Sequence, residues 1–171
     1  MQKDKKINIL NLSSIICIIV TVSLSVFIYS CEKREPASQP DPSEVMKKIT
    51  GNIPKKLSEK EVVDLYSDDK DNPVDLSKIE KYSIIKSNEN STVEIGIFKL
   101  YDDTNVNYVK NMAQTRISKI QGSETASKKT NRLKILNDAE IRSYGNYVYY
   151  VSHPQKDKIF KIIEDSLRGA A

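Results

Sequence analysis

The dipeptide Gly145-Asn146 constrains this chain more than any other pair of its residues. A two-residue connection between strands needs positive φ, which glycine adopts without penalty and asparagine tolerates. It lies within Leu133–Ser152, a stretch rich in alternating apolar and polar residues, and predicts a hairpin there. Antiparallel pairing about the turn sets Tyr144 against Tyr147, Arg142 against Tyr149 and Ile141 against Tyr150. Ala139, Ile141, Val148 and Tyr150 then share one face, which is expected to go to the core. Arg142, Tyr144, Tyr147 and Tyr149 share the other with Glu140 and Val151. A tyrosine offers a rigid apolar body and a hydroxyl, so these four residues form the candidate binding face.

A second hairpin precedes it. Lys81–Lys86 carries Tyr82, Ile84 and Ile85, SNENS at Ser87–Ser91 reads as the turn, and Thr92–Tyr101 follows. Val93, Ile95 and Ile97 alternate with Glu94 and Gly96, and Phe98 and Leu100 make the far half apolar on its second face. That pattern suits a central strand partly covered on both sides. Helices are expected around the hairpins. Glu44–Thr50 follows Ser43 as N-cap, and Glu59–Tyr66 follows Ser58, with Glu61 completing a capping box. Asp102–Thr104 supplies caps for an amphipathic helix of about 17 residues ending near Gly122, with Val106, Val109, Ala113, Ile117 and Ile120 on its apolar side. Ser123–Asn131 reads as a polar loop. After His153-Pro154 comes a last helix with Ile159, Phe160, Ile162, Ile163 and Leu167 inside. The order ααββαββα predicts an α+β fold: a mostly antiparallel four-stranded sheet of two hairpins, with helices packed on one face.

The N-terminus limits how much chain is left for that domain. Met1–Lys6 is charged, Ile15–Tyr29 is an uncharged run of 15 residues, and Ser30-Cys31 closes it. A small residue before cysteine fits cleavage and thiol lipidation. The expected organisation is a lipoprotein signal peptide over 1–30, a Pro-rich tether over 31–43 and a single domain over 44–168, with Cys31 as the lipidation site. Tyr29 is bulkier than the usual occupant of its position. An uncleaved signal anchor therefore stands beside this reading, since Ile7–Tyr29 is long enough to cross about 30 Å of hydrocarbon; simple secretion is the third. In the lipoprotein and anchor readings Lys3, Lys5 and Lys6 stay inside, and residues 32–171 face outward.

Composition narrows the chemistry. The formal charge is +4, of which residues 1–30 hold +2, so the outer part is close to neutral. Its basic and acidic residues alternate, and no nucleic-acid partner is expected. Cys17 and Cys31 both fall in the leader region, leaving no thiol in the domain for catalysis, zinc or disulfides. The single histidine, His153, precedes a proline and reads as a turn residue. Asp69, Asp71, Asp75 and Glu80 fall on positions of a calcium loop, but Val74 stands where the loop needs glycine. The five glycines are never clustered, so no phosphate cradle is expected. Neither a catalytic group, nor a metal, nor a cofactor is assigned.

Ile95-Gly96-Ile97-Phe98-Lys99 running into Asp102, the following helix with Arg116, the Gly145-Asn146-Tyr147-Val148 hairpin and Lys158-Ile159 carry a family resemblance. From Val62 to Leu167 the chain resembles an uncharacterised domain family of small exported lipoproteins from low-GC Gram-positive, clostridial-type bacteria. The resemblance implies a lipoprotein leader and an α+β domain, and it carries no active site. The expected function is a membrane-anchored extracytoplasmic module that binds an envelope protein or cell-wall ligand. It would be held by diacylglyceryl-cysteine or by the N-terminal helix. The alternative is a signal-anchored envelope protein with an enzymatic activity of unrecognised type.

Overall fold

A computed structural model of the chain describes residues 39–53, 57–66, 74–89, 92–126 and 130–169. The leader, Cys31, the tether up to residue 38 and the acidic stretch 67–73 lie outside the described residues.

Both expected hairpins form. β2 (Ile79–Ser87) pairs antiparallel with β3 (Glu94–Leu100), and β4 (Glu140–Tyr144) pairs antiparallel with β5 (Tyr147–Ser152). Gly145 takes φ 53°, and the register sets Tyr144 opposite Tyr147 and Arg142 opposite Tyr149, as expected. The hairpins join through their second strands, Phe98 facing Val148 and Gly96 facing Tyr150. A short strand, β1 (Leu57–Glu59), adds to the outer edge of β2, so the sheet has five strands in the order β1-β2-β3-β5-β4. The expected number was four. Ser58, expected to cap a helix, instead pairs with Lys86, and the helix α2 is only Val62–Tyr66. Glu61 accepts a hydrogen bond from the Tyr82 hydroxyl rather than closing a capping box. Three residues are too few to display alternation, so β1 left no mark in the pattern.

Helices cover both faces of the sheet, not one. α1 (Pro42–Thr50) and α5 (Lys156–Leu167) pack on Ile85, Ile95, Ile97, Tyr147, Tyr149 and Val151. α2, α3 (Val106–Ala126) and α4 (Thr130–Asn137) pack on Ile84, Phe98, Leu100, Val148 and Tyr150. The cause lies in the two middle strands. All six residues of β5 are buried, and β3 is buried except at Lys99. Strands apolar on both sides need two layers to remove that surface from water. The layers are three: helix, sheet, helix.

Several boundaries move for local reasons. Asp41, not Ser43, caps α1: its carboxylate accepts from the Ser43 N–H at 2.9 Å, and Pro42 opens the helix where its missing donor costs nothing. The fold thus takes in the end of the expected tether, and the Tyr147 hydroxyl donates to the Pro40 carbonyl at 2.8 Å. α3 runs through Gly122 to Ala126, into the stretch expected as a polar loop, and α4 covers Thr130–Asn137 ahead of the hairpin. Leu136 of α4 is 1 % exposed, packed with Ile117 and Ile120 of α3 in the same core. Gln121 of α3 ties the two helices by donating to the Leu136 carbonyl.

Candidate functional site

The hairpin face expected to bind is covered. Tyr147 and Tyr149 lie under α1 and α5, at 0 % and 2 % exposure, and Tyr149 packs against Phe160 with ring centroids 5.9 Å apart. Burial pushes both phenols up to about 12. Arg142 donates to Glu140 at 2.7 Å and to Glu164 of α5 at 2.8 Å, with its guanidinium 3.9 Å above the Phe160 ring. Tyr144 is partly buried at the margin of this core, with Arg168 over its ring. The four residues do come together, and what they meet is α5. His153 is also buried: its Nδ1 accepts from the Gln155 N–H at 2.9 Å in the turn that opens α5. Of the calcium-loop positions, Asp75 accepts from Ser77 and Glu80 from Lys99, while Asp69 and Asp71 lie outside the described residues. Among the described residues no three His, Cys, Asp or Glu side chains stand together to hold a metal.

Chemistry concentrates instead on the opposite face. Glu94 opens β3 and is 1 % exposed. Arg116 of α3 meets it with a two-pronged contact, Nε to Oε1 at 3.2 Å and Nη2 to Oε2 at 2.9 Å. The Tyr150 hydroxyl donates to Oε1 at 2.6 Å and in turn accepts from Tyr66 of α2 at 3.3 Å. Arg116 Nη1 also donates to the Leu65 carbonyl at 3.3 Å, so one guanidinium clamps α2, α3 and the sheet. Lys86, opposite Glu94 in the register, brings a second cation to 3.9 Å from Oε2. Burial, and then the nearby Arg116, hold Lys86 below the ordinary lysine value. Desolvation pushes Tyr66 and Tyr150 far up, so both remain neutral donors. Taking a carboxylate out of water is tolerable here because its oxygens are bonded, and breaking such a pair typically costs about 3–5 kcal/mol.

Two members of this network, Tyr66 and Arg116, line a groove. Between α2 and α3 lies a cavity of about 700 Å³, a size that suits a small-molecule or short-peptide ligand. Leu65, Val74 and Met112 make its apolar wall, with the rings of Tyr66 and Tyr108. Tyr108 is fixed from two sides: its hydroxyl accepts from the Asp75 N–H at 2.8 Å, and Lys78 sits 4.0 Å above its ring. Along α3, Asn111, Thr115 and Ser118 supply uncharged hydrogen-bonding groups, and Arg116 and Lys119 supply positive charge.

A match to the domain of unknown function DUF4358 spans residues 55–153, more than half of the chain. The chain belongs to the DUF4358 family. The match takes in all five strands and α2, α3 and α4, whereas α1 lies before it and α5 after it. Tyr66, Glu94, Arg116 and Tyr150 therefore all fall inside the DUF4358 domain, and so does the groove. No curated protein matches the chain, and no solved structure does. Sequence reasoning missed this site because its members are 84 positions apart at the extremes, Tyr66 to Tyr150. One signal was available: Glu94 is the lone charge in the first half of a strand that is otherwise apolar on both faces.

Proposed function

We propose that the chain is a membrane-anchored, outward-facing binding module whose ligand site is the groove between α2 and α3. The observation that carries the site is Arg116, which lines the groove and is held in place by the buried Glu94. A cation fixed in place by its own counter-ion reorganises little on binding, which lowers the cost of recognition. The anchoring rests on the leader: a charged n-region, an apolar run and Ser30-Cys31 favour a lipoprotein of the kind made by low-GC Gram-positive bacteria, acylated on Cys31. Two acyl chains suffice for stable attachment. The natural partners of such a module are cell-wall components or envelope proteins.

Labelling cells with an alkyne fatty acid tests the anchor. The chain should take the label and remain in the membrane fraction, Cys31→Ser should take none, and protease added to intact cells should digest the domain. A chain that stays in the membrane without label is held by its N-terminal helix instead. A domain protected from protease in intact cells would end the outward-facing reading.

A further inference from the structure

We infer that the β4 edge of the sheet is a self-association surface: β4 of one copy pairs antiparallel with β4 of a second, joining two five-stranded sheets into one. The inference is independent of the groove and starts from the backbone of β4. Tyr144 and Tyr147 close the two-residue turn as a hydrogen-bonded pair, so Arg142 with Tyr149 and Glu140 with Val151 also bond across the hairpin. The intervening Ile141 and Ser143 therefore turn their N–H and C=O groups away from β5. Among the described residues nothing bonds to these outward groups. All five residues of β4 are partly exposed, whereas all six of β5 are buried.

Open edges are normally blunted by shortness, proline, lysine, charge or a bulge. β1, at the opposite edge, has only three residues. β4 has five, contains neither proline nor lysine, and runs beside β5 without a register shift. Its one device against association is a pair of charges, Glu140 and Arg142, with side chains 40 % and 35 % exposed. Within one copy these already bond each other, and Lys156 near Glu140 and Glu164 on Arg142 keep the patch balanced.

Those two charges choose the partner. Two copies joined by a two-fold axis pair β4 with itself about one central residue. Centred on Ile141, the pairing sets Glu140 against Arg142 of the second copy, and Arg142 against its Glu140. Both contacts are opposite in charge and fall at non-hydrogen-bonded positions, where facing side chains come closest. The two Ile141 residues exchange backbone bonds, and each Ser143 N–H faces the outward Ala139 carbonyl of the other copy. Centred one residue later, the pairing sets Arg142 against Arg142; one residue earlier, it sets Glu140 against Glu140. Like charges directly opposite destabilise, so the strand fits a second copy of itself in one register and rejects the neighbouring ones. The two-fold also keeps α1 and α5 of both copies on one face of the joined sheet, and with them both Pro40 carbonyls bonded to Tyr147. Two chains tethered to one membrane can meet in this way.

Sedimentation velocity of the full chain in density-matched detergent tests the pairing. The wild type should form a dimer as its concentration rises. Glu140→Arg and Arg142→Glu, each alone, set like charges opposite each other twice and should weaken the dimer at least about tenfold. Mixed one to one, the two variants face each other with opposite charges throughout, and the dimer should return. That rescue also shows that both variants fold. Ser143→Pro removes a donor that points away from β5, so it should abolish the dimer while the circular dichroism spectrum is unchanged. A wild type that stays monomeric up to about 100 μM would overturn the second copy as the partner. A dimer indifferent to all three substitutions would place the contact elsewhere, and single variants that weaken without rescue on mixing would overturn the register.

Discussion

Gly96 shows how one side chain, by being absent, sets up the buried network. A Cβ built on it would lie 2.2 Å from Cε1 and 2.8 Å from Cζ of Tyr150, the residue opposite it in the register. The Tyr150 ring lies across the strand in the space a side chain would fill, and only from there does its hydroxyl reach Glu94. Gly96→Ala must push the ring aside, and overpacking of this kind costs about 1–3 kcal/mol. Urea unfolding should show that loss in the wild-type background and little of it in Tyr150→Ala. An equal penalty in both backgrounds would mean that the ring is not what the glycine accommodates. The sequence displays Gly96 as a weak point in a strand. That it is a seat for a ring 54 positions later is visible only once Gly96 and Tyr150 are paired.

Among the elements, α1 depends on its first residues more than its pattern suggests. Asp41 caps the helix and also binds Lys81 of β2 at 2.8 Å, so one carboxylate fixes both the start of the helix and its seat on the sheet. The bond to Lys81, with that to Ser43, lowers its pKa from 3.8 to about 2. A folded-state pKa below the unfolded value stabilises at neutral pH, and the contribution fades as pH falls through the folded value. Asp41→Ala should therefore cost about 1 kcal/mol near neutral pH. The gap between wild type and variant should stay constant above about pH 4 and close toward about pH 2. A gap that does not narrow on acidification would show that Asp41 acts without its charge. Element types were otherwise well marked, because periodicity over ten or more residues survives most contexts. The short pieces were less so: α2 was expected but begins later, and β1 and α4 were not foreseen, since three to eight residues take their state from what they pack against.

For the whole molecule, the two-sided core makes a claim that alkaline titration can check. Tyr147 and Tyr149 are buried on one face and Tyr66 and Tyr150 on the other, and burial raises all four above the ordinary value of 10.0. A phenol whose folded pKa is raised supports the fold below pH 10 and withdraws that support as pH climbs through its folded value. Phenolate absorbance should therefore rise in stages, with Tyr147 and Tyr149 ionising near pH 12 and stability falling steadily from pH 10 upward. In urea all nine tyrosines should titrate together. One step near pH 10 with an intact circular dichroism spectrum would contradict the covered hairpin face. By itself the sequence determined the two hairpins, the register of the second, the long and last helices and the α+β class, because turn chemistry and period are local properties. Only the tertiary structure decided which faces were covered and which distant residues met. The tyrosine face and the Glu94 side looked alike as patterns. Burial of Tyr147 and Tyr149 under α1 and α5, the tie of Arg142 to Glu164 of α5, and the meeting of Arg116 with Glu94 beside a groove depend on where helices land across the sheet. That placement comes from the packing of the whole core, which no stretch of residues encodes alone.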